Sequence, residues 1–429
     1  MPQSQMTPLP GFQRVLVMGQ GYVGLTLAMR AVEVGHAVVG FDIDDALVKA
    51  LAAAEPPHGD VDGATMATAL ATDRYRATAD PADCADFEVA VIAVPTPLRD
   101  GNPDMGHIEG AAVTLAPYVT ASSTVVLEST TYPGTTEELL VPILESGSGL
   151  LVGADFHVGY SPERIDPGNT EHTLATSPKV VSGLDPASLA VVDGFYRTIV
   201  RKTVRVGSPA VAELTKLLEN TFRHVNVALV NELAMFAHDL DIDVWEAVEA
   251  AGTKPFGFMR FDPGPGVGGH CLPVDPSYLS WRTRTRLGRS FRFVELANDV
   301  NDHMPGYVVR RLVLALNRDR KALNGARVLL LGLAYKRNTG DARESPALEV
   351  ARLLVEAGAD VRVADPYVDP RKLDLGLQFV EPGTSELACA DAVVLLTDHD
   401  TFDLEAVATH APYVLDTRNR LAGARVERL

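Results

Sequence analysis

RVLVMGQGYVGLTLAMRAVEVGHAVVGFD, residues 14–42, is the stretch from which the fold is read. Arg14 to Met18 is a short apolar run of the length of a buried strand. It passes directly into Gly19-Gln-Gly21-Tyr22-Val23-Gly24, and then into a helical pattern from Leu25 to Val34. Gly35-His36 stops that helix, and Ala37 to Phe41 forms a second strand closing on Asp42. Strand, glycine turn, helix, strand and acid in this order form a dinucleotide-binding unit. The glycines permit a tight turn and close passage of a pyrophosphate, and the helix N-terminus stabilises its charge. Asp42 accepts from both ribose hydroxyls and repels a 2′-phosphate, so the expected cofactor is NAD rather than NADP.

Working outward, Phe87 to Val94 reads as a strand that ends in Pro95-Thr96-Pro97, and Thr124 to Leu127 as one that ends in Glu128-Ser-Thr130-Thr-Tyr-Pro-Gly134. Ligands of open parallel sheets lie beyond the carboxyl ends of the strands, where both segments fall, so they are expected to line the nicotinamide side. Plain strand exits are the alternative. Tyr160-Ser-Pro-Glu163-Arg164-Ile-Asp-Pro-Gly168 follows another strand end. Glu163 there is able to serve as a base or hold a water, but pattern alone favours a surface ion pair between Glu163 and Arg164.

Ser208-Pro209 opens the longest helical pattern, running to about Leu240, with serine as cap and proline at the first position. Glu213, Lys216, Asn220 and His224 recur at steps of three and four and form one polar stripe. Leu214, Leu217, Leu218, Phe222 and Val225 flank it, so the helix is expected to be largely buried and the stripe to need partners or a ligand. A second helix spans Val244 to Ala251. Pro263-Gly-Pro-Gly-Val-Gly-Gly-His-Cys271-Leu-Pro-Val-Asp275 follows, its glycines and prolines excluding helix and strand. Helical patterns near Phe291 to Asn301 and Tyr307 to Leu316 complete a helical middle section.

After Asn324-Gly325 the chain starts again. Arg327 to Gly332 mirrors Arg14 to Gly19, and Glu349 to Ala357 followed by Asp360 to Asp365 mirrors the helix and strand of the first unit. The turn differs: Gly332-Leu-Ala-Tyr335-Lys336 to Arg343-Glu-Ser-Pro346 is polar and basic, suited to a phosphate-bearing ligand or else a solvated loop of mixed charge. The repeat also sorts the three cysteines. Cys84 and Cys389 precede matching strands and read as packing residues, which leaves Cys271 for chemistry. No Cys or His spacing resembles a zinc site, and no metal is expected.

The 429 residues, 46% hydrophobic and 22% charged, suit a globular chain of about three domains. Three cysteines point to reduced thiols and a cytoplasmic setting. The N-terminal segment lacks a secretory pattern and no apolar run approaches membrane-spanning length, so no membrane association is expected. A formal charge of −18 opposes nucleic acid as a partner.

Together these segments resemble the nucleotide-sugar 6-dehydrogenase family, which includes UDP-glucose, UDP-N-acetylhexosamine and GDP-mannose dehydrogenases. The resemblance runs from about Arg14 to Arg420 through seven motifs in one order: GQGYVG, VPTP, ESTTYPGT, SPERIDPG, AELTKLLEN with VNE, PGPGVGGHCLPVDP and GLAYKRNTGDARESP. It implies an α/β protein with two Rossmann-like parallel-sheet domains, 1–207 and 323–429, flanking a helical central domain, 208–322, whose long helix forms a homodimer. NAD would lie on the first domain, and a UDP-sugar toward the last. The implied reaction takes the primary alcohol at carbon 6 to a carboxylate, reducing two NAD, through a Cys271 thiohemiacetal and thioester.

By the same resemblance Lys216 and Asn220 hold the developing oxyanion, and Asp275, Glu163 and Thr130 handle water and protons. Gly19, Gly21, Tyr22, Val23, Gly24, Asp42, Pro95, Thr96, Thr130 and Arg343 contact the cofactor. Glu163, Arg164, Lys216, Asn220, Arg260, Gly268, Tyr335 and Lys336 contact the substrate. The SPER and GHC forms are more similar to UDP-N-acetylhexosamine enzymes than to UDP-glucose enzymes, and Asp-Pro-Gly-Asn after Arg164 leans toward N-acetylglucosamine. Arg260 departs from the proline of that subgroup, and either touches the substrate, across a dimer in one version, or sits on the surface. The alternatives are UDP-N-acetylmannosamine, UDP-N-acetylgalactosamine or UDP-glucose, or a noncatalytic NAD or UDP-sugar binding protein.

Overall fold

The computed structural model describes residues 11–57, 61–99, 101–165, 171–269, 271–373 and 376–429, with the side chain of Cys271 also outside the description. The Asp166-Pro-Gly168 part of the SPERIDPG motif and His270 lie outside the described residues. Two compact units are present, Met1–Glu219 with Thr285–Leu287, and Asn220–Arg284 with Gly288–Leu429.

The first unit is built on an eight-stranded sheet. Its strands are β1 (Arg14–Met18), β2 (Ala37–Phe41), β3 (Tyr75–Thr78), β4 (Val89–Ile92), β5 (Thr124–Leu127), β6 (His157–Tyr160), β7 (Lys179–Gly183) and β8 (Thr203–Arg205), in the spatial order β8-β7-β6-β5-β4-β1-β2-β3. Pairing is parallel except between β6 and β7. The strands read as apolar runs because both faces are covered. Val15 and Val17 pack with Leu25, Ala28 and Val32 of helix α1 (Tyr22–Val34) and Phe195 and Ile199 of α2 (Pro186–Ile199). Leu16 and Met18 pack on the other side with Ile108, Leu115, Leu140 and Leu144. The strand expected over Phe87 to Val94 is shorter at both ends, and β7, α2 and β8 fill residues that carried no assigned pattern.

Helix α3 (Pro209–Asp239) runs 31 residues, and Ser208 caps it by accepting the Val211 N–H at 3.3 Å. Its expected burial all round is not observed. Glu213, Lys216, Asn220 and His224 are the buried face, while Leu214, Leu218 and Phe222 are exposed, Leu218 by 63%. The polar stripe therefore faces protein, and the apolar stripe faces solvent.

The second unit contains α4 (Val244–Gly252), α5 (Cys271–Leu287), α6 (Arg292–Arg318) and α7 (Pro346–Glu356). Its six parallel strands are β9 (Arg327–Leu331), β10 (Asp360–Ala364), β11 (Gln378–Phe379), β12 (Ala392–Leu395), β13 (Val414–Asp416) and β14 (Val426–Arg428), ordered β11-β10-β9-β12-β13-β14. Both sheets reverse strand order beside their first strand, as doubly wound Rossmann-like sheets do, so the repeat read from sequence is a repeat of topology. Val328 and Leu330 pack with Trp245, Val308, Leu312 and Leu354, and Leu329 and Leu331 with Leu387, Val393 and Val407.

Three expectations fail in this unit. Helix α5 begins at Cys271, so Asp275 lies within its opening turns rather than in a loop; Pro276 sits inside it as well. The two patterns on either side of Pro305 are one helix, α6, because the buried Met304, Val308 and Leu312 hold one face continuously against the core. Cys389 ends a short helix, Thr384–Cys389, and is exposed, the packing positions there being Leu387 and Ala390. Cys84 is buried as expected, and its apolar surroundings push its thiol up to about 12.

Candidate active site

In the first unit the glycine turn is set by packing at two positions and left open at a third. Gly19 has φ +89°, and a Cβ there would lie 2.5 Å from the Ala93 carbonyl oxygen. A Cβ on Gly24 would lie 1.8 Å from the Gly19 carbonyl oxygen, so helix and strand meet backbone to backbone. Over Gly21 there is open space. Tyr22 and Val23 start α1, whose N-terminus crowns the turn. The Gln20 N–H donates to Asp42 Oδ2 at 2.7 Å and the Asp44 N–H to Oδ1 at 3.0 Å, which aims the carboxylate beyond β2. An open glycine, a helix N-terminus and an oriented acid fit the pyrophosphate and ribose of NAD.

Pro95 is exposed and Thr96 buried just beyond β4, and Thr130 is half-buried beyond β5. The Ser129 hydroxyl donates to the Val94 carbonyl at 2.8 Å and ties the two exits together. The surface pairing expected of Glu163 and Arg164 is not found. Glu163 is 7% exposed and takes the backbone N–H of Arg164 at 2.6 Å and that of Ile165, while Lys179 donates to its other oxygen at 3.2 Å. Arg164 turns instead to Glu219 at 2.7 Å and the Pro178 carbonyl at 2.6 Å. Lys216, buried on α3, donates to the Glu163 backbone carbonyl at 2.6 Å. One turn earlier Glu213 accepts the N–H groups of Gly134 and Thr136, at 2.6 and 2.9 Å, fixing α3 to the turn that follows Thr130. Half of the polar stripe is thus accounted for inside this unit.

In the second unit the stripe continues. Asn220, four residues after Lys216, donates through its amide to Asp275 Oδ2 at 2.5 Å, both side chains being buried. His224, Asn301 and Asn231 form a chain that ends where Asn231 accepts the Gly264 N–H at 2.9 Å, anchoring the start of the glycine-rich loop. The loop's glycines answer largely to protein. A Cβ on Gly268 would lie 2.8 Å from Tyr335 Cβ and 2.7 Å from the Glu344 carbonyl oxygen, and the Gly269 N–H donates to the Arg343 carbonyl at 3.0 Å. The loop therefore packs on the connection after β9, which holds Tyr335 and Lys336, both half-buried. Arg343 is exposed and makes a two-pronged pair with Asp341 at 2.9 and 2.6 Å; Arg260 is exposed and pairs with Asp262 at 2.9 Å.

The acid that mirrors Asp42 behaves differently. Asp365 is enclosed, taking the N–H groups of Leu333, Ala334, Tyr367 and Val368 and the ring of His399. Burial works to raise its carboxyl, but those donors hold it down at about 2. With its oxygens committed to the protein, the second turn lacks the ribose acceptor of the first.

Sequence reading passed over Glu128 as a site residue, Lys179, Asn231 and Arg418. Asn231 lies in the VNE motif and Glu128 opens ESTTYPGT, so both were within reach. Lys179 sits in an apolar strand, where a lone lysine is itself a signal. Arg418 lies just past β13, with its guanidinium against Gly264, and donates to the Leu396 carbonyl at 2.6 Å.

Three family models match the chain in order: the NAD binding, central and UDP binding domains of the UDP-glucose/GDP-mannose dehydrogenase family, over residues 13–200, 210–303 and 329–423. The chain is 38% identical over 393 residues to a UDP-N-acetyl-D-glucosamine 6-dehydrogenase of Pseudomonas aeruginosa, covering 91% of each. It is 34% identical over 427 residues to an NDP-N-acetyl-D-galactosaminuronic acid dehydrogenase of Ralstonia solanacearum, covering 97% of this chain and 98% of the relative. Among solved structures it is similar to the UDP-D-ManNAc dehydrogenase of Pyrococcus horikoshii, with a TM-score of 0.88 and 32% identity over 97% of this chain and 98% of that one.

Proposed function

The chain belongs to the UDP-glucose/GDP-mannose dehydrogenase family, an NAD-dependent oxidoreductase, and from that premise we propose that it oxidises carbon 6 of a UDP-N-acetylhexosamine from alcohol to carboxylate. The observation that carries this reading is a family match along the whole chain in which Lys216, Asn220, Cys271 and Asp275 are all present, with Asn220 bonded to Asp275. UDP-N-acetylglucosamine is the first choice of sugar, supported by the SPER and GHC forms and by the Pseudomonas relative. The order of family segments supports a division into 1–207, 208–322 and 323–429.

Gly19, Gly21, Gly24 and Asp42 would hold NAD, which would supply a two-electron acceptor for each of two oxidations at carbon 6. Between them the Cys271 thiolate adds to the aldehyde carbonyl, forming a C–S bond and an alkoxide that takes up a proton. Oxidation of that thiohemiacetal leaves a thioester, and water then adds while the C–S bond breaks, releasing the carboxylate and the thiol. Per sugar, one water is consumed and two NAD are reduced. The Lys216 ammonium and the Asn220 amide stabilise the oxyanions of these steps. Asp275 holds the Asn220 amide in orientation, and Glu163 or Asp275 takes the proton of the attacking water, with Thr130 as a hydrogen-bonding partner.

A homodimer is part of the same proposal. Val211, Leu214, Leu218, Phe222, Leu229, Leu233 and Phe236 repeat at helical spacing along α3 and are all exposed, an apolar stripe that a second copy of the helix would cover.

Purified protein with NAD and UDP-N-acetylglucosamine is expected to form two NADH per sugar consumed, and Cys271→Ser to lose acid formation while still binding NAD. One NADH per sugar with aldehyde released, or acid from the serine variant, would refute the thioester route. A UDP-sugar panel read by product mass decides among the N-acetylhexosamines.

A further inference from the structure

Behind Glu163 the first unit contains a dry cluster of Glu128, Lys179 and Tyr196 that the mechanism above does not use. Glu128 at the end of β5 is fully buried, and Lys179 at the start of β7 is 2% exposed. The Lys179 ammonium donates to Glu128 and, at 3.2 Å, to Glu163. Tyr196 of α2 donates its hydroxyl to the other Glu128 oxygen at 2.5 Å, and its ring lies 5.2 Å from the ammonium. Lys216 of α3 faces the same loop through the Glu163 carbonyl. Two carboxyl groups and one ammonium are in direct contact among buried side chains. Such a set is tolerated only when its members hold one another's charges and titrate together.

Resting on the reading of Glu163 as a water-handling base, we propose that Lys179 is a positioning residue for Glu163. It holds that carboxylate ionised and aimed in a dry interior, and Glu128 with Tyr196 anchors the ammonium from behind. The geometry assigns each oxygen of Glu163 a fixed donor: Oε1 the two backbone N–H groups of Arg164 and Ile165, Oε2 the ammonium. Burial works to protonate Glu163, and the attraction of Lys179, the largest opposing cause, joined by Glu128, Lys216 and the Ile165 N–H, leaves the carboxyl below its ordinary value. Glu128 has the opposite fate, pushed by burial up to about 8 despite the same lysine, so the proton of the cluster resides on Glu128 and not on Glu163. Without Lys179 the largest attraction opposing burial is lost and the balance at Glu163 moves toward the protonated form, which cannot take a proton from water.

The test compares the wild type with Glu128→Gln, Lys179→Arg, Lys179→Gln and the double variant Glu128→Gln/Lys179→Gln. The double variant removes Lys179 together with the buried carboxyl it anchors to, so no ionisable Glu128 is left without its lysine, and it is the one best able to fold if Lys179→Gln does not. Acid formation would be followed from about pH 5 to about pH 9, with whichever of UDP-N-acetylglucosamine, UDP-N-acetylgalactosamine and UDP-N-acetylmannosamine is oxidised fastest. Thermal unfolding of each variant would be recorded alongside. Loss of Lys179, singly or in the double variant, is expected to move the acid limb of kcat up by about one to three pH units. The KM for NAD should stay within about twofold, because Lys179 is not in the glycine turn. Lys179→Arg should restore the wild-type limb, and Glu128→Gln alone should not raise it.

A folded double variant whose rate falls equally at every pH would overturn the proposal and leave Lys179 a purely structural ion pair. So would a raised limb in Glu128→Gln alone. Glu163→Gln separates the two readings. If it forms acid with an unchanged profile, the role of Glu163 fails and this inference falls with it. If it loses acid formation while the Lys179 variants keep the wild-type profile, only the inference fails.

Discussion

Asp42 and Asp365 end equivalent strands of equivalent sheets, and the difference between them lies in what each carboxylate already holds. Asp42 is half-buried and takes two backbone N–H groups, whereas Asp365 is enclosed by four such groups and a histidine. Asp42→Asn is expected to raise the KM for NAD about tenfold through loss of charge-assisted bonds to ribose, with little change in unfolding temperature. Asp365→Asn is expected to do the reverse, costing about 1 to 3 kcal/mol of stability in denaturant titration while the KM for NAD is unchanged. Equal effects of the two substitutions on NAD would contradict the assignment of the cofactor to the first turn. Glu163 makes a similar point: a carboxylate beside an arginine in sequence is, in space, bonded to a lysine sixteen residues away.

At the scale of elements, α3 has two faces with inverted roles. Its polar stripe is buried, with Glu213 and Lys216 engaged in the first unit and Asn220 and His224 in the second, while Leu214, Leu218, Phe222, Leu229, Leu233 and Phe236 face out. An exposed row of this length is unfavourable for an isolated chain in water. Replacing Leu218 and Phe222 together by glutamate is expected to shift the protein from dimer to monomer in light scattering, since burying two carboxylates at a helix contact is strongly unfavourable. A wild type that scatters as a monomer at micromolar concentration would remove α3 as a self-association surface. The glycine-rich loop carries a related lesson. Composition showed that it is neither helix nor strand, but Gly268 and Gly269 are required by their packing against Tyr335, and the helix beginning at Cys271 was hidden by Pro273 and Pro276.

At the scale of the whole molecule, each unit contains a buried neutral histidine. In the first, His36 Nδ1 accepts the Gln13 N–H at 3.0 Å and its other nitrogen meets Thr198 at 2.7 Å. In the second, His224 sits between Asn298 and Asn301 at 2.7 and 3.4 Å. Burial lowers both pKa values below that of a free imidazole. Groups with a depressed folded pKa contribute stability that is complete above the unfolded value, about 6.5, and is lost as pH falls through the folded one. Both units should therefore lose stability together, and the unfolding temperature should drop between about pH 7.5 and about pH 5.5. An unfolding temperature that is flat or rises over that interval would show that the histidines do not control it.

Sequence by itself determined what depends on local order. The run from Arg14 to Asp42 specifies a dinucleotide unit because strand, turn, helix and acid are contiguous there, and its echo after Asn324 specifies a second sheet of the same winding. Family membership follows from motifs in one order, each contiguous in the chain. Only the tertiary structure decided which charges are buried and with whom. Lys179 with Glu128 and Glu163, Asn220 with Asp275, and Asn231 with the Gly264 N–H are contacts between residues 16 to 55 positions apart. Periodicity marks which residues share a face of a helix. Whether that face meets protein or solvent depends on everything packed around it, which is why the exposure of Leu214, Leu218 and Phe222 on α3 and the burial of Glu163 are not legible in the sequence.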